Sequence, residues 1–364
     1  MDASFVFESA PPRGHRGRLA AVLTTIAAIS VALAACSTVP GATPTIPPDA
    51  TGALQPAVTA TPSAAADGFP VTLTDDEATR VELPAVPMKI VSLTPATTET
   101  LFALGVGDRV VGKVEDLSLF PPEAAAIPDV AKFGEVDVER IVSLQPDVVF
   151  AGGNNFTPPD KIAQLRDLGV PVIVLYAPDI ETVFNDIELT GVAVGRLDAA
   201  EDLTASMRAG FDQVQAATSV LPKPRVFYEL DATREIYTAA DDSFLTEMIE
   251  LAGGEPITTG STTSFEIALE TLVTADPEVI LLGDAAYGAT GEAVAARPGW
   301  NVMTAVKDGA IRPVDDIVIT RPGPRLVHGL QLLARAIHPD ASIPGAPSSA
   351  ESPSAPAPAA SAAP

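Results

Sequence analysis

Residues 138–152 read VERIVSLQPDVVFAG, and residues 269–283 read LETLVTADPEVILLG. The two segments align without a gap at an offset of 131 residues, which pairs Glu139 with Glu270. Each begins with a helical pattern, turns at a proline followed by an acid, and continues as an apolar strand. The offset is about half of the 272 residues, 69–340, that carry apolar patterning. The repeat predicts two similar lobes, and chance resemblance between two common α/β units is the alternative.

Short apolar runs elsewhere in the chain indicate the class of fold. These runs are Lys89–Leu93, Val148–Ala151, Val172–Leu175, Val226–Tyr228 and Val279–Leu282. They are apolar on both faces and alternate with helical stretches, which is typical of parallel sheets covered on both sides. Helices are predicted over Thr97–Leu104 and Arg325–Ile337. We therefore predict an α/β fold with a parallel sheet in each lobe.

One long helix is predicted between the lobes. Asp198 and Glu201 have the spacing of a capping box, and apolar residues then recur at helical spacing to about Val220. A helix of about 22 residues is about 33 Å long, so we expect one rigid connection that allows little relative motion of the lobes. An ordinary surface helix is the alternative. The predicted boundaries are 69–178 for the N-terminal lobe, 179–221 for the helical linker and 222–340 for the C-terminal lobe.

The N-terminus resembles the signal peptide of a bacterial lipoprotein. Three arginines precede an apolar run, Leu19–Ala32, and the sequence Leu-Ala-Ala-Cys ends at Cys36. We expect cleavage after residue 35 and lipidation of Cys36, which would anchor the protein on the outer side of a membrane. A transmembrane anchor or a buried structural cysteine are the alternatives. Residues 36–68 and 341–364 are rich in Ala, Pro, Thr and Ser, so we predict a disordered tether and a disordered tail.

Composition and motifs exclude several classes of function. The formal net charge of −25 argues against nucleic-acid binding, because phosphates would be repelled. A single cysteine cannot form an internal disulfide, and three histidines make a histidine-rich metal site improbable. The chain has no Gly-x-Ser-x-Gly elbow and no P-loop. We therefore expect no catalysis, no resident metal and no cofactor.

Several segments resemble one family of transport proteins. They are Ile90–Gly105, Val138–Asp147, Tyr237–Thr238 with Ser243–Leu245, Ala252–Gly254 and Arg321–Arg325. In this order they are similar to the binding proteins of ABC importers for vitamin B12, haem and iron siderophores. The resemblance implies a monomer of two α/β lobes, bridged by a helix, with the ligand in the cleft. It also implies that Glu139 and Glu270 dock onto arginines of the permease, although each carboxylate could instead only stabilise its own helix.

The resemblance is closest to the cobalamin binders in the N-terminal lobe. It implies cleft positions at Pro95, Leu117, Phe133, Phe156 and Phe265. Several of these differ from the expected aromatic walls. Tyr228, at the end of a predicted strand, is a candidate replacement.

The ligand stays open at this point. Haem would require an axial tyrosine or histidine, for which Tyr228, Tyr237 and Tyr287 are candidates. An anionic siderophore would favour Arg234 or Arg321, although Arg321 could instead brace a loop. We rank cobalamin or another corrinoid first, a ferric siderophore second and haem third. A secreted enzyme and a structural envelope protein are the alternatives from other classes.

Overall fold

Parallel strands run through both halves of the chain, as the apolar runs predict. The computed structural model describes residues 68–116, 118, 120–132 and 134–346. Within these residues the strands are β1 (Val71–Thr74), β2 (Arg80–Leu83), β3 (Ile90–Ser92), β4 (Val110–Val114), β5 (Asp129–Lys132), β6 (Glu135–Val136), β7 (Val148–Gly152), β8 (Val172–Leu175), β9 (Arg225–Glu229), β10 (Glu255–Pro256), β11 (Val279–Leu282) and β12 (Ile311–Pro313). The α-helices are α1 (Pro95–Ala103), α2 (Val138–Ser143), α3 (Pro159–Asp167), α4 (Ile180–Val194), α5 (Leu197–Thr218), α6 (Phe244–Leu251), α7 (Leu269–Ala275), α8 (Gly291–Ala295), α9 (Thr304–Lys307), α10 (Asp316–Thr320) and α11 (Leu326–Ile337).

Each lobe is built on one mainly parallel sheet, and the N-terminal lobe also contains a separate antiparallel pair of β1 with β2. The N-terminal sheet has the order β6-β5-β4-β3-β7-β8 and is parallel except for the β5–β6 pair. The C-terminal sheet has the order β10-β9-β11-β12 and is parallel throughout. In β7, Val148 and Phe150 belong to one apolar cluster, whereas Val149 and Ala151 belong to another. Both faces of this sheet are therefore covered, which is why its strands have no polar alternation.

The sequence repeat is a structural repeat. Each copy places a helix, α2 or α7, before a strand, β7 or β11, that pairs with the first strand of its own sheet. Gln145 and Asp276, the residues before the two prolines, both adopt the left-handed conformation, with φ of 54° and 46°. The acids that follow the two prolines form equivalent hydrogen bonds. The Asp147 carboxylate accepts a hydrogen bond from the Met88 amide, and the Glu278 carboxylate accepts one from the Arg225 amide. The same turn therefore joins the same two elements in both lobes.

The predicted connecting helix is present as α5, with 22 residues. At its start the Arg196 Nε donates to the Leu104 carbonyl in the N-terminal lobe, at 2.9 Å. At its end the Thr218 Oγ1 donates to the Leu251 carbonyl in the C-terminal lobe, at 3.0 Å. The predicted capping box is wrong, because Arg196 is the N-cap residue and Asp198 already lies in the first turn. Helix α4 packs antiparallel along α5, so the connection is a helical pair.

The C-terminal helix and the segment after it pack against the core. Helix α11 buries Leu326, Leu330, Leu333 and Ile337, as its apolar spacing predicts. The packed chain continues beyond the predicted boundary at residue 341, since Ile343 is only 6% exposed within the same core. Within the described residues, no helix is long and apolar enough to cross a membrane. The predicted signal peptide, Cys36, the tether up to residue 67 and the tail from residue 347 lie outside the described residues.

Candidate ligand cleft and docking surfaces

A cavity of about 920 Å³ lies between the lobes. From the N-terminal lobe it is lined by residues that follow strand ends, among them Pro95 after β3, Phe156 after β7 and Tyr176 after β8. The C-terminal lobe contributes Leu230 after β9 and a wall that includes Phe265. The carboxyl ends of parallel strands therefore face the cavity, which is the usual position of ligand sites in α/β sheets.

Aromatic side chains line the cavity from both lobes. Phe156 and Tyr176 come from the N-terminal lobe, and Phe244 and Phe265 from the C-terminal lobe. Tyr176 is 44% exposed and Phe265 is 50% exposed, so both offer apolar surface that a ligand would cover. An apolar ligand with a broad face would gain hydrophobic contact energy on both sides of such a cleft.

Beside the cavity, a cluster of four charged side chains joins the two lobes. Glu99 of α1, whose side chain is 1% exposed, accepts from Arg321 Nη1 at 2.7 Å. It also accepts from Arg325 Nε at 2.9 Å and from Arg325 Nη2 at 2.7 Å. Asp116 accepts two further bonds from Arg321, at 2.8 and 3.1 Å. The Arg325 guanidinium also lies over the ring of Phe120, 4.1 Å from its centroid.

The cluster controls the ionisation of its members. Burial disfavours the charged form of Asp116, but hydrogen bonds from Arg321 and Ser118 outweigh burial and lower the pKa of its carboxyl. Burial also opposes the charge of Arg321, but Asp116 and Glu99 outweigh it and raise the pKa of the guanidinium. Both shifts favour the charged forms of Asp116 and Arg321, and the cluster pairs two acids with two arginines.

Two acids on the cavity wall, Asp186 and Asp316, have raised pKa values, in contrast to Asp116. Burial, followed by the neighbouring Asp76 carboxylate, raises the pKa of Asp186 on α4 to about 8. Burial also raises the pKa of Asp316 at the start of α10, although a hydrogen bond from the Tyr228 hydroxyl opposes this rise. Asp186 is therefore mostly protonated at neutral pH, as an uncharged group in the cavity wall.

The two carboxylates of the repeat lie on exposed helix starts. Glu139 is in the first turn of α2 and Glu270 is in the first turn of α7. Asp137 supplies the side-chain cap of α2, where its Oδ1 accepts from the Arg140 amide at 2.9 Å. Neither glutamate forms an ion pair with a described residue. Both are free to contact a cationic partner.

Comparison with known proteins settles the family. The profile of the periplasmic binding protein family matches residues 90–317, which include the six-stranded and four-stranded sheets and most of the residues that line the cleft. The chain belongs to the periplasmic binding protein family. The ABC transporter substrate-binding lipoprotein YvrC of Bacillus subtilis is 34% identical over 277 residues, or 75% of this chain and 87% of YvrC.

Two further relatives of this family match most of the chain. A cobalamin-binding protein of Halobacterium salinarum is 32% identical over 341 residues, or 89% of this chain and 85% of its own. Among solved structures, the periplasmic heme-binding protein RhuT from Roseiflexus sp. RS-1 superposes with a TM-score of 0.61. It is 28% identical, over 69% of this chain and 98% of RhuT.

Family membership confirms the main expectations from the sequence. The protein is the solute-binding component of an ABC importer of the B12, haem and siderophore class, and it is not an enzyme. It acts outside the cytoplasm, binds a small molecule and works with permease and ATPase components. Two α/β lobes with a cleft between them form its fold. Among the described residues, no group of three or more His, Cys, Asp or Glu side chains is placed to hold a metal ion, and the expected absence of a resident metal or cofactor stays a prediction.

The structure places only part of the predicted cleft residues on the cavity. Pro95, Phe156, Phe265 and Arg321 line it, although the charge of Arg321 is already paired within the inter-lobe cluster. Tyr176 was not predicted, although its position directly after the apolar run Val172–Leu175 is the same signal that favoured Tyr228.

Two predicted cleft residues are corrected. Tyr228 is completely buried, does not line the cavity and donates to Asp316 Oδ1 at 2.8 Å. The prediction was wrong because every residue of β9 from Val226 to Glu229 is buried. The sequence of such a strand does not show which side chain faces the cleft. Arg234 lies on an exposed loop and does not line the cavity.

The remaining predicted residues fall into two groups. Tyr237 and Tyr287, the other candidates for a haem ligand, do not line the cavity. Leu117 and Phe133 lie outside the described residues, so both remain predictions.

Proposed function

We propose that this protein captures a corrinoid, with cobalamin as the first candidate, and delivers it to the importer. The observation that carries the proposal is a large cavity with aromatic side chains on both lobes. At about 920 Å³ it has the size of the larger small-molecule sites. Phe156 and Tyr176 face the ligand space from one lobe and Phe265 from the other, which suits the broad faces of a corrin ring. The cobalamin-binding relative in Halobacterium salinarum supports the same choice.

Polar groups beside the aromatic side chains suit the amide-rich edge of a corrinoid. Asn154 and Asn155 precede Phe156 on the cavity wall, and both have left-handed backbones, with φ of 50° and 63°. Asp241 and Asp242 lie on the wall of the other lobe. Side-chain amides both donate and accept, and carboxylates accept from amide N–H groups. Recognition would thus rest on shape and on a few hydrogen bonds.

Ferric siderophores and haem are the alternatives within the same class. Haem bound through a protein ligand would need a tyrosine or histidine on the cavity. Among the described lining residues, Tyr176 is the single candidate of either type. A haem protein would therefore lose its tyrosinate absorption band in the variant Tyr176→Phe, whereas corrinoid binding would keep its own spectrum.

Co-elution tests the ligand. The purified protein is mixed with cyanocobalamin, haem or a ferric siderophore, and the absorbance of the protein peak is recorded after gel filtration. We expect cyanocobalamin to co-elute with the monomeric protein at micromolar concentration. Co-elution of haem or a siderophore instead would replace the corrinoid, and co-elution of none would refute a chelate ligand.

We also propose that Glu139 and Glu270 dock onto cationic residues of the permease. The double variant Glu139→Lys/Glu270→Lys should abolish uptake and leave ligand affinity unchanged. The matched control is Asp160→Lys/Glu292→Lys, because these acids are also exposed and in the first turns of helices, α3 and α8. Equal loss of uptake in both double variants would contradict the docking role.

The membrane anchor remains a proposal based on the sequence. Lipidation of Cys36 would hold the protein on the outer face of a membrane, and Cys36→Ser should release it from the membrane fraction into the soluble fraction. Retention of the serine variant in the membrane fraction would contradict lipidation.

A further inference from the structure

Among the residues that the structure describes, four acids line the cavity. They come from three separate elements: Asp186 lies on α4, Asp241 and Asp242 lie on the segment before α6, and Asp316 begins α10. Asp242 is exposed, whereas the other three are half-buried. The acids therefore approach the ligand space from several sides and not from one edge.

Among the described residues, no lysine or arginine pairs with these acids. Arg321 is the one basic residue among the described lining residues, and its side chain is only 14% exposed. It belongs to the inter-lobe cluster, in which Arg321 and Arg325 are balanced by Glu99 and Asp116. The cluster as a whole has no net charge, so the acids of the wall determine the charge of the cleft.

The hydrogen bonds of these acids come from uncharged groups. Asp316 accepts from the Tyr228 hydroxyl at 2.8 Å, and Asp241 accepts from the Gly260 amide at 3.1 Å. Asp186 faces Asp76, which is another acid. Within the described residues, none of the four lining acids forms an ion pair with arginine or lysine. These neutral hydrogen bonds offset only part of the cost of burying the Asp241 and Asp316 carboxylates, and a cation on the ligand would offset more of it.

We propose that the cleft selects its ligand by charge, accepting an uncharged or cationic chelate and rejecting an anionic one. Asp241, Asp242 and Asp316 are the residues that determine this specificity. The inference rests on the proposed function, because it assumes that a metal chelate occupies this cavity. Its physical basis is that like charges repel more strongly in a cleft with low-dielectric walls than in bulk water. At typical distances across such a cleft, each carboxylate should weaken a monoanionic ligand about three- to tenfold relative to its uncharged analogue.

Two matched ligand series test the proposal on the purified protein. Ferrioxamine B carries a terminal ammonium, its N-acetyl derivative is uncharged and its N-succinyl derivative carries a carboxylate, while the iron centre is the same. Cyanocobalamin and its monocarboxylate, with one peripheral amide hydrolysed, form the second series. In whichever series binds, we expect the carboxylate form to bind at least about fivefold more weakly than the uncharged form. The difference in affinity between the carboxylate form and the uncharged form should become smaller in about 0.5 M salt, because salt screens the charges.

Asparagine variants test whether the acids of the cleft cause the preference for the uncharged ligand over the anionic one. Asp241→Asn/Asp242→Asn should reduce the preference for the uncharged ligand at least about fivefold. The control Asp202→Asn/Asp212→Asn changes the net charge by the same amount on exposed positions of α5 and should leave the preference within about twofold. An unchanged preference in the cleft variant would overturn the role of these two acids.

The outcomes separate this proposal from the proposed function. Equal or tighter binding of the carboxylate derivative would overturn selection by charge and leave the chelate function intact. Binding of haem, with its two propionates, in preference to both parent compounds would overturn it as well. Binding of none of these probes would refute the chelate function and this proposal together.

Discussion

Replacing Glu99 by glutamine tests the inter-lobe cluster at its most buried point. The native carboxylate accepts three hydrogen bonds from two arginines, at 2.7, 2.9 and 2.7 Å. A glutamine retains one acceptor oxygen, but its amide N–H groups must face a guanidinium that also donates. Asp116 is then left to balance both Arg321 and Arg325.

We expect Glu99→Gln to lower the free energy of unfolding by several kcal/mol. Removing one partner of a buried ion pair costs about 3–5 kcal/mol, because the remaining charge stays in a low-dielectric site. Three charge-assisted hydrogen bonds of about 1.5–3 kcal/mol each, partly retained by glutamine, give a similar figure. For a chain of this size about 1 kcal/mol corresponds to about 2 °C, so Tm should fall by about 6–10 °C.

Thermal unfolding followed by circular dichroism measures the effect, and the exposed pair of Arg208 with Glu181 provides the control. Arg208 donates two hydrogen bonds to that carboxylate, at 2.5 and 2.7 Å, but the two side chains are 41% and 62% exposed. Glu181→Gln should therefore cost less than about 1 kcal/mol. If the two variants lowered Tm equally, burial would not be the source of the strength of the inter-lobe cluster, and the reasoning would be refuted.

Two other substitutions test the cleft and the repeat. Burial and the Asp76 carboxylate raise the pKa of Asp186 to about 8, so the folded state holds a proton that the unfolded state releases above about pH 4. The contribution of Asp186 to the free energy of unfolding should therefore fall as pH rises from 4 to 8. Asp186→Asn should remove this contribution and gain about 2–5 kcal/mol over the native protein at pH 8.5. A gain independent of pH would contradict the assignment. Gly283→Ala would place a Cβ 2.5 Å from Cε1 of the buried Tyr228, and should cost about 1–3 kcal/mol in urea unfolding. Gly291→Ala, whose nearest neighbour would be at 3.6 Å, should change stability by less than about 0.5 kcal/mol, and equal effects of the two alanines would exclude steric overlap as the cause.

Much of the fold was predictable because it depends on local patterns. The repeat of helix, turn and strand appears in the sequence as a fixed order of apolar residues, proline and acid, and the structure forms the same left-handed turn at Gln145 and Asp276. The long helix α5 was predictable from its apolar spacing. Its exact start was not, because Arg196 begins the helix without any side-chain cap.

The composition of the cleft was less predictable, because it depends on which side chains of buried strands turn toward the other lobe. Tyr228 and Tyr176 both lie at or directly after the ends of apolar runs, yet Tyr228 is buried against Asp316 and Tyr176 lines the cavity. In a strand covered on both faces, apolar residues occupy both sides, so the sequence carries no signal for the direction of each side chain.

The sequence by itself determined two similar α/β lobes, the helix between them and exposed acids at matching positions, Glu139 and Glu270. These features follow from periodicity and repetition, which act over a few residues. Only the tertiary structure decided that Arg321 pairs with Glu99, 222 residues away, and that Asp186 of the connecting pair faces the cavity. Such pairings depend on how the lobes pack, and they set the charge of the cleft because a charge in a low-dielectric site is governed by its neighbours.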